Sequence, residues 1–354
     1  MRIGIPREIK PLEGRVGLIP AAAAELVKHG HELIIEQGAG ELSGYLDRHY
    51  ETRGVIVVPD AATLYGEAEM IVKVKEPVEP EIRLLREDHL LFSFLHLAAE
   101  PELTRKLRDI GLTAVAFETV EEDRQLPLLA PMSDIAGRLA TQIGTTLLHQ
   151  PNGGKGILLG GLPSAQRGRV VILGGGVAGG GAATLAAALG AEVVVFDKNR
   201  TKLEQMRALG PNVTALYAYN DQIAEEVARA DLLVGAVLIP GAKAPHLVST
   251  EMVRTMGDGS VIIDIAVDQG GCIETTRPTN YESPTYLCEG VVHFGVTNMP
   301  GAVPRSSSQA LSAALIPYAV KLANGELDRH ASLRAGINVR DGELIHPALK
   351  QSMA

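Results

Sequence analysis

The sequence is short of cysteine, with Cys272 and Cys288 alone among 354 residues. Neither sits in CxxC spacing or beside clustered histidines, so neither a disulfide framework nor a zinc site is suggested, and a buried structural thiol is the expected role. No metal is expected. Long apolar runs are also missing, and no stretch reaches the roughly 20 residues that a membrane-spanning helix needs. A basic block is lacking as well. With 33 Lys and Arg against 42 Asp and Glu, the net charge is −9, which repels nucleic acid and anionic membrane surfaces and points to a small-molecule partner. Met1 to Pro6 reads as a strand, without the charged and then apolar pattern of a secretory leader, so a cytoplasmic location is expected.

Apolar residues make up 46% of the chain and Gly contributes 38 positions. That is enough to fill two cores joined by many tight turns between strands and helices, and the length favours two domains.

The most informative stretch is "RVVILGGGVAGGGAATLAAALGAEVVVFD", from Arg169 to Asp197. A buried strand at Val170 to Leu173 leads into Gly174, Gly176 and Gly179, the first, third and sixth positions of a GxGxxG turn. A helix from Ala182 to Leu189 and a second buried strand follow. The first glycine permits the turn, the second lets backbone approach a pyrophosphate, and the third lets helix and sheet pack closely. The phosphates then rest on a helix N-terminus. Asp197 ends the next strand about 20 residues on, where a carboxylate accepts from both ribose hydroxyls and repels a 2′-phosphate. NAD is therefore expected over NADP, although Lys198 and Arg200 stand beside it.

Further strands are expected at 31–40, 55–60, 70–77, 90–98 and 112–120, with helical patterns between them, as at 60–65 and 101–109. Such alternation implies a parallel, doubly wound sheet with its ligand beyond the strand C-termini. Three residues pass that filter. Arg15 follows the first strand and carries a fork suited to bidentate capture of a carboxylate. Lys75 follows "IVKV" at a strand mouth, where an ammonium can polarise a carbonyl. His96 ends the apolar strand "FSFLH", and imidazole titrates near neutrality. A solvated arginine, an edge lysine and a core histidine are the ordinary alternatives.

A long helix is expected from Ser133, which sits at an N-cap-like position. Strands follow at 232–245 and 259–271, the second reaching Asp268, which either orients a water or amino group or shapes the turn before "QGG". A last helix is expected from Gln309 to Leu322 behind a run of capping serines. The tail from Asn324 reads as polar loop.

Taken in order, "RIGIPREIK", "VKVKEP", "FLHLAA", "ETV", "PLLAPMS", the glycine turn, "GAVLIPGAKAP", "DIAVDQGGC" and "NMPGAVP" resemble the bacterial L-alanine dehydrogenases from end to end. The resemblance implies an α/β fold of two doubly wound parallel-sheet, Rossmann-like domains with a cleft between them. Residues 1–128 and 307–354 would form the substrate and catalytic domain, and residues 129–306 the NAD-binding domain. It implies NAD-dependent, reversible deamination of L-alanine to pyruvate and ammonia, and a homohexamer. Arg15 and Lys75 would bind substrate, with His96 and Asp268 as the acid–base pair. NAD would touch Ser133, Val177, Ala178, Asp197, Lys202 and Arg277, together with Val237, Leu238, Ile265, Ala266, Val267, Asp268, Val296, Thr297, Asn298 and Met299. Phe94, "LGGGVAGGG" and the Ala218–Tyr219 pair depart from the usual pattern without removing a catalytic group. Two other readings stay open: the nucleotide-binding module of a proton-translocating transhydrogenase, and a dehydrogenase of a larger amino acid.

Overall fold

Short β-branched and aliphatic runs alternate with helical segments along most of the chain, and that alternation folds into two α/β units. The computed structural model describes residues 1–237, 245–267 and 270–353. The units comprise Met1–Met132 with Gly301–Ala354, and Ser133–Pro300. Leu238 and Asp268 lie outside the described residues.

The first unit runs β1 (Arg2–Ile5), α1 (Pro20–Lys28), β2 (Glu32–Glu36), α2 (Asp47–Glu51), β3 (Ile56–Val58), α3 (Ala61–Glu67), β4 (Met70–Val72), α4 (Glu79–Ile82), β5 (Leu90–Ser93), α5 (Pro101–Ile110) and β6 (Thr113–Ala116). Local chemistry bounds the helices. Asp60 caps α3 by accepting from the Thr63 N–H at 2.8 Å, and α5 starts on a proline and stops at Gly111 with φ of +86°, as capping rules require. The strands are shorter than their apolar runs suggest: past β4 and β5 the chain continues as buried loop, at Lys73 and Val74 and at Phe94 and Leu95. β5 ends at Ser93, so His96 lies beyond the strand and does not end it.

In the second unit α6 (Ala130–Leu147) leads to β7 (Arg169–Leu173), α7 (Val177–Ala188), β8 (Glu192–Asp197), α8 (Arg200–Arg207), β9 (Val213–Tyr217), α9 (Asn220–Ala228), β10 (Leu232–Gly235), α10 (Thr250–Arg254), β11 (Val261–Asp264), β12 (Thr285–Cys288) and β13 (Val291–Phe294). Two helix starts differ from expectation. α6 begins at Ala130, so Ser133 lies in its first turn and is not the cap; Pro131 takes a position where a missing N–H costs nothing. α7 begins at Val177, directly behind the glycine turn. A Cβ on Gly137 would collide with the Ala178 carbonyl, and one on Gly181 would stand 2.6 Å from Asp134 Oδ1, so α6 and α7 meet backbone to backbone through glycine.

The chain then returns to the first unit as α11 (Pro304–Ala323), α12 (Ala331–Gly336), β14 (Ile337–Arg340), β15 (Glu343–Leu344) and α13 (Pro347–Ser352). α11 starts five residues before Gln309, and its serines do not cap it. Ser308 and Ser312 point inward and accept from the Val16 and Ile19 N–H groups, each at 3.0 Å. The tail is not loop. β14 buries Ile337 and Val339 and pairs antiparallel with β6, and its polar neighbours mask the pattern in the sequence.

Among the described residues the first sheet has the order β15-β14-β6-β5-β4-β1-β2-β3, and the second β12-β13-β11-β10-β7-β8-β9. Both are parallel except for β14 and β15 at one edge of the first and β12 at one edge of the second. The fold is the expected pair of parallel-sheet α/β domains. No helix among the described residues is long and apolar enough to cross a membrane.

Candidate active site

In the first unit, β1, β4 and β5 are adjacent and parallel, so the loops bearing Arg15, Lys75 and His96 leave the same end of one sheet. Arg15 is 3% exposed. Glu13 holds its guanidinium in two-point fashion, Nε to Oε1 and Nη2 to Oε2, both at 2.6 Å, and Nη1 lies 3.3 Å from Met132 Sδ. Glu13 was not singled out from the sequence. The loop itself is pinned by α11 through Ser308, and by Ser43, whose hydroxyl donates to the Gly14 carbonyl at 2.7 Å.

Lys75 rests on a buried charge cluster. The Lys73 ammonium, 1% exposed, lies 3.2 Å from Glu8 Oε2 and 3.1 Å from Glu81 Oε1, and it donates to the Lys75 carbonyl at 2.9 Å. Ser93 donates to the same carbonyl at 2.8 Å, while Glu8 accepts from the Val74 N–H at 2.6 Å and lies 3.4 Å from the Lys75 N–H. The backbone on both sides of Cα75 is thus clamped. Burial pushes the Glu8 carboxyl above the ordinary carboxylate range. Burial also opposes the charge on Lys73, but Glu8 and Glu81 outweigh it and raise its pKa. The Lys75 ammonium stands 3.3 Å from Glu76 Oε2. Burial alone would raise the Glu76 carboxyl, yet Lys75 and Lys10 hold it below its usual range.

His96 adopts left-handed backbone, φ +49°, rare for a residue with a Cβ. Glu118 supports that turn by accepting from the His96 N–H at 2.6 Å and from the Leu95 N–H at 3.2 Å. The imidazole stacks on Phe94 with ring centroids 5.9 Å apart. Strain of this kind persists where surroundings over-determine it.

In the second unit the glycine turn has the shape its spacing implies. Gly174 takes φ of +101°, a Cβ on Gly179 would collide with the Gly174 carbonyl, and among the described residues a Cβ on Gly176 would meet only Lys202 Nζ, at 3.9 Å. Backbone is therefore open to an incoming group at the N-terminus of α7. That fits a pyrophosphate. Val177 and Ala178 form the first helical turn, and Val177 is 51% exposed. Asp197 ends β8, and its carboxylate accepts from the Gly175 and Asn199 N–H groups, each at 2.8 Å, with Lys202 Nζ 3.9 Å away.

The remaining cofactor candidates follow β10, β11 and β13 at the same sheet end. Val237 follows β10, with the Ala236 N–H bonded to the Leu173 carbonyl at 2.8 Å. Ile265, Ala266 and Val267 follow β11, with Ala266 and Val267 buried. Val296 and Met299 are buried while Thr297 and Asn298 are part-exposed, and Asn298 has φ of +58°. Arg277 lies over the Tyr286 ring at 4.4 Å. Tyr286 stacks on the buried His293, an arrangement no motif announced. Ser133 is part-exposed in the first turn of α6. Cys272 is fully buried and Cys288 partly so, and both are free thiols.

A parallel α/β sheet with this turn, helix and acid defines a Rossmann-type, dinucleotide-binding class of protein. The comparisons narrow it. The alanine dehydrogenase/PNT N-terminal domain matches residues 4–136, and the alanine dehydrogenase/PNT C-terminal domain matches residues 140–347. Alanine dehydrogenase of Bacillus subtilis is 48% identical across 100% of this chain and 95% of its own length. That of Methanococcus maripaludis is 46% identical, across 99% and 96%. A solved L-alanine dehydrogenase superposes with a TM-score of 0.96 at 51% identity, covering 99% of each chain. A transhydrogenase from Sinorhizobium meliloti does so with a TM-score of 0.86 at 27% identity, covering 98% of this chain and 100% of that one. The chain belongs to the alanine dehydrogenase/PNT family over both of its domains. It is an oxidoreductase whose family chemistry uses a nicotinamide cofactor.

Proposed function

We propose that the protein catalyses reversible, NAD-dependent oxidative deamination of L-alanine to pyruvate and ammonia. The observation that carries the reading is the placement of a fixed guanidinium, a clamped lysine and a strained histidine on three adjacent loops of one sheet end. Full-length identity to curated alanine dehydrogenases supports it. A bound nicotinamide would supply the hydride acceptor, or in the reverse direction the donor, for the substrate α-carbon. Arg15 receives the substrate carboxylate with its planar fork, and Lys75 lies against the pyruvate carbonyl oxygen, which in deamination is the oxygen of the water added to the iminium. His96 moves protons as water adds to the iminium and as ammonia leaves, with Asp268 as its partner. The second unit supplies Gly174 to Gly179, Asp197, Lys202, Arg277 and the loops after β10, β11 and β13 to the cofactor. We further propose a cytoplasmic homohexamer, which light scattering on the purified protein checks.

The test is oxidation of NADH, and of NADPH, with ammonia and a panel of 2-oxo acids. Pyruvate should give the highest kcat/KM, with NADH preferred. NADH binding without turnover of any 2-oxo acid would favour a nucleotide-binding module, and a preference for a longer 2-oxo acid would reassign the substrate.

A further inference from the structure

"VIIDIAVDQGG" holds two aspartates, and the structure gives the earlier one an unusual place. Asp264 is the last residue of β11 and 1% exposed, and among the described residues its hydrogen-bond partners include no cationic side chain. Its Oδ1 accepts from the Ala266 N–H at 3.1 Å, with Cys272 Sγ at 3.9 Å. Its Oδ2 accepts from the Cys272 N–H at 2.9 Å and the Ile273 N–H at 3.3 Å, and lies 2.9 Å from the Thr276 hydroxyl. Both oxygens face donors. An ionised carboxylate, which only accepts, suits such a site, and a side chain with an NH₂ group does not. Burial pushes the Asp264 carboxyl up, and the Thr276 hydroxyl and the N–H groups pull it back.

The neighbours are shaped around it. A Cβ on Gly235 would stand 2.8 Å from Asp264 Oδ1, and one on Gly271 2.7 Å from Oδ2. Gly271 also takes φ of +68°, so glycine alone satisfies both backbone and space there. Ala266 on one side, and Cys272 with Ile273 on the other, are tied to one carboxylate. Backbone adds to this, with the Gly271 N–H on the Ala266 carbonyl at 3.0 Å and the Ile265 N–H on the Gly235 carbonyl at 2.8 Å. Thr276 directly precedes Arg277.

We infer that Asp264 is the positioning residue for the second unit's proposed cofactor contacts, holding Ile265 to Val267 and Arg277 in register as the common acceptor of the Ala266, Cys272 and Ile273 N–H groups. The inference rests on the reading that this loop touches the nicotinamide cofactor. Asp264 itself touches no cofactor; it acts through the backbone it holds.

The experiment measures NADH binding directly, by fluorescence titration of the full-length protein, alongside KM for NADH and for pyruvate. Asp264→Asn should weaken NADH binding by about tenfold or more, the usual worth of lost hydrogen bonds to a charged group, and leave KM for pyruvate near wild type. Thr276→Val should show a smaller loss of the same kind, and Thr276→Ser, which keeps the hydroxyl, should restore it. Ile265→Lys, which places bulk and charge on the loop, should weaken NADH binding. If Ile265→Lys binds NADH normally, the reading of the loop fails. If Ile265→Lys binds poorly but a folded Asp264→Asn binds like wild type, the positioning role alone fails. Should Asp264→Asn not fold, the threonine pair decides: equal NADH affinities for Thr276→Val and Thr276→Ser overturn the inference.

Discussion

The guanidinium of Arg15 is gripped by both oxygens of Glu13, two residues earlier, at 2.6 Å on each. The pair is 3% and 1% exposed at its side chains, so its charges are removed from water and hold each other in a fixed orientation. An arginine restrained in this way presents the rest of its fork with little rotamer entropy left to lose. Arg15→Lys keeps the charge but not the fork, and KM for pyruvate should rise by about tenfold or more. NADH affinity should stay within error. Glu13→Ala leaves a buried guanidinium without its counter-charge and should cost about 3–5 kcal/mol of stability, seen as a lower denaturation midpoint. An unchanged pyruvate KM in a folded Arg15→Lys would remove Arg15 from the substrate site.

His96 tests the chemistry apart from the binding. His96 itself holds left-handed backbone, with its N–H bonded to Glu118, so a replacement should tolerate that backbone. Asparagine does so better than most residues. Both His96→Asn and His96→Ala should lose kcat by about 10² to 10⁴, the span for a positioned acid–base group, and retain NADH binding. Near-normal turnover across pH in either variant would make the imidazole structural.

What could be read without coordinates was what the chain encodes locally. The glycine turn needs three small residues at fixed spacing and an acid one strand later, and all lie between Gly174 and Asp197. Arg15, Lys75 and His96 were visible because each follows a recognisable strand. Their supports were not. Glu8 and Lys73 are 65 positions apart, and Lys73 reads as a surface lysine until the fold buries it. Asp264 gives no signal in the sequence, and its place shows only in its burial and in the N–H groups that converge on it. Helix starts at Ala130 and Pro304 were missed because a proline early in a helix resembles a loop residue in sequence. The strand β14 was hidden by its polar alternation at a sheet edge.

The Glu8, Lys73 and Glu81 cluster should couple energetically. Lys73→Met leaves two carboxylates in a site with almost no solvent and should cost about 3–5 kcal/mol. Adding Glu8→Gln removes one of the stranded charges, so the double variant should be less destabilised than the sum of the single ones. Denaturant midpoints of the four proteins measure this coupling. Strict additivity would mean that the ion pairs do not support the loop that carries Lys75.

His293 predicts an acid-side loss of stability. Burial lowers its pKa from 6.5, with the Val291 carbonyl partly offsetting that effect. Nδ1 lies 3.0 Å from that carbonyl and Nε2 2.7 Å from the Thr275 hydroxyl, which suits a neutral ring with the proton on Nδ1. The unfolded chain therefore takes up a proton near pH 6.5 that the folded chain refuses. Stability is complete above that pH and falls as pH drops toward the lower folded pKa, by at most about 1.4 kcal/mol per pH unit for this one group. His293→Gln lacks the titration. The stability gap between wild type and variant should therefore narrow from about pH 8 to about pH 5.5. A gap that widens on acidification would show the ring protonated in the fold.

Asp197 sets cofactor choice in the proposed reaction, and its surroundings sharpen the expectation. Its two oxygens are already fixed by the Gly175 and Asn199 N–H groups at 2.8 Å, so the carboxylate cannot rotate away from an arriving 2′-phosphate without breaking the glycine turn. Lys202 Nζ at 3.9 Å tempers the negative charge but does not cancel it. NAD should be preferred by about tenfold or more, equivalent to about 1.4 kcal/mol. Asp197→Ala removes the repulsion and leaves Lys198, Arg200 and Lys202 near the emptied corner, so the ratio of kcat/KM for NAD over NADP should fall. It also removes the tether on Gly175, so kcat/KM with NAD should drop in absolute terms. Asp197→Asn keeps one acceptor for the turn and loses the charge, and it should narrow the ratio with less damage to NAD turnover. An unchanged ratio in both variants would place the ribose elsewhere and remove Asp197 from cofactor selection.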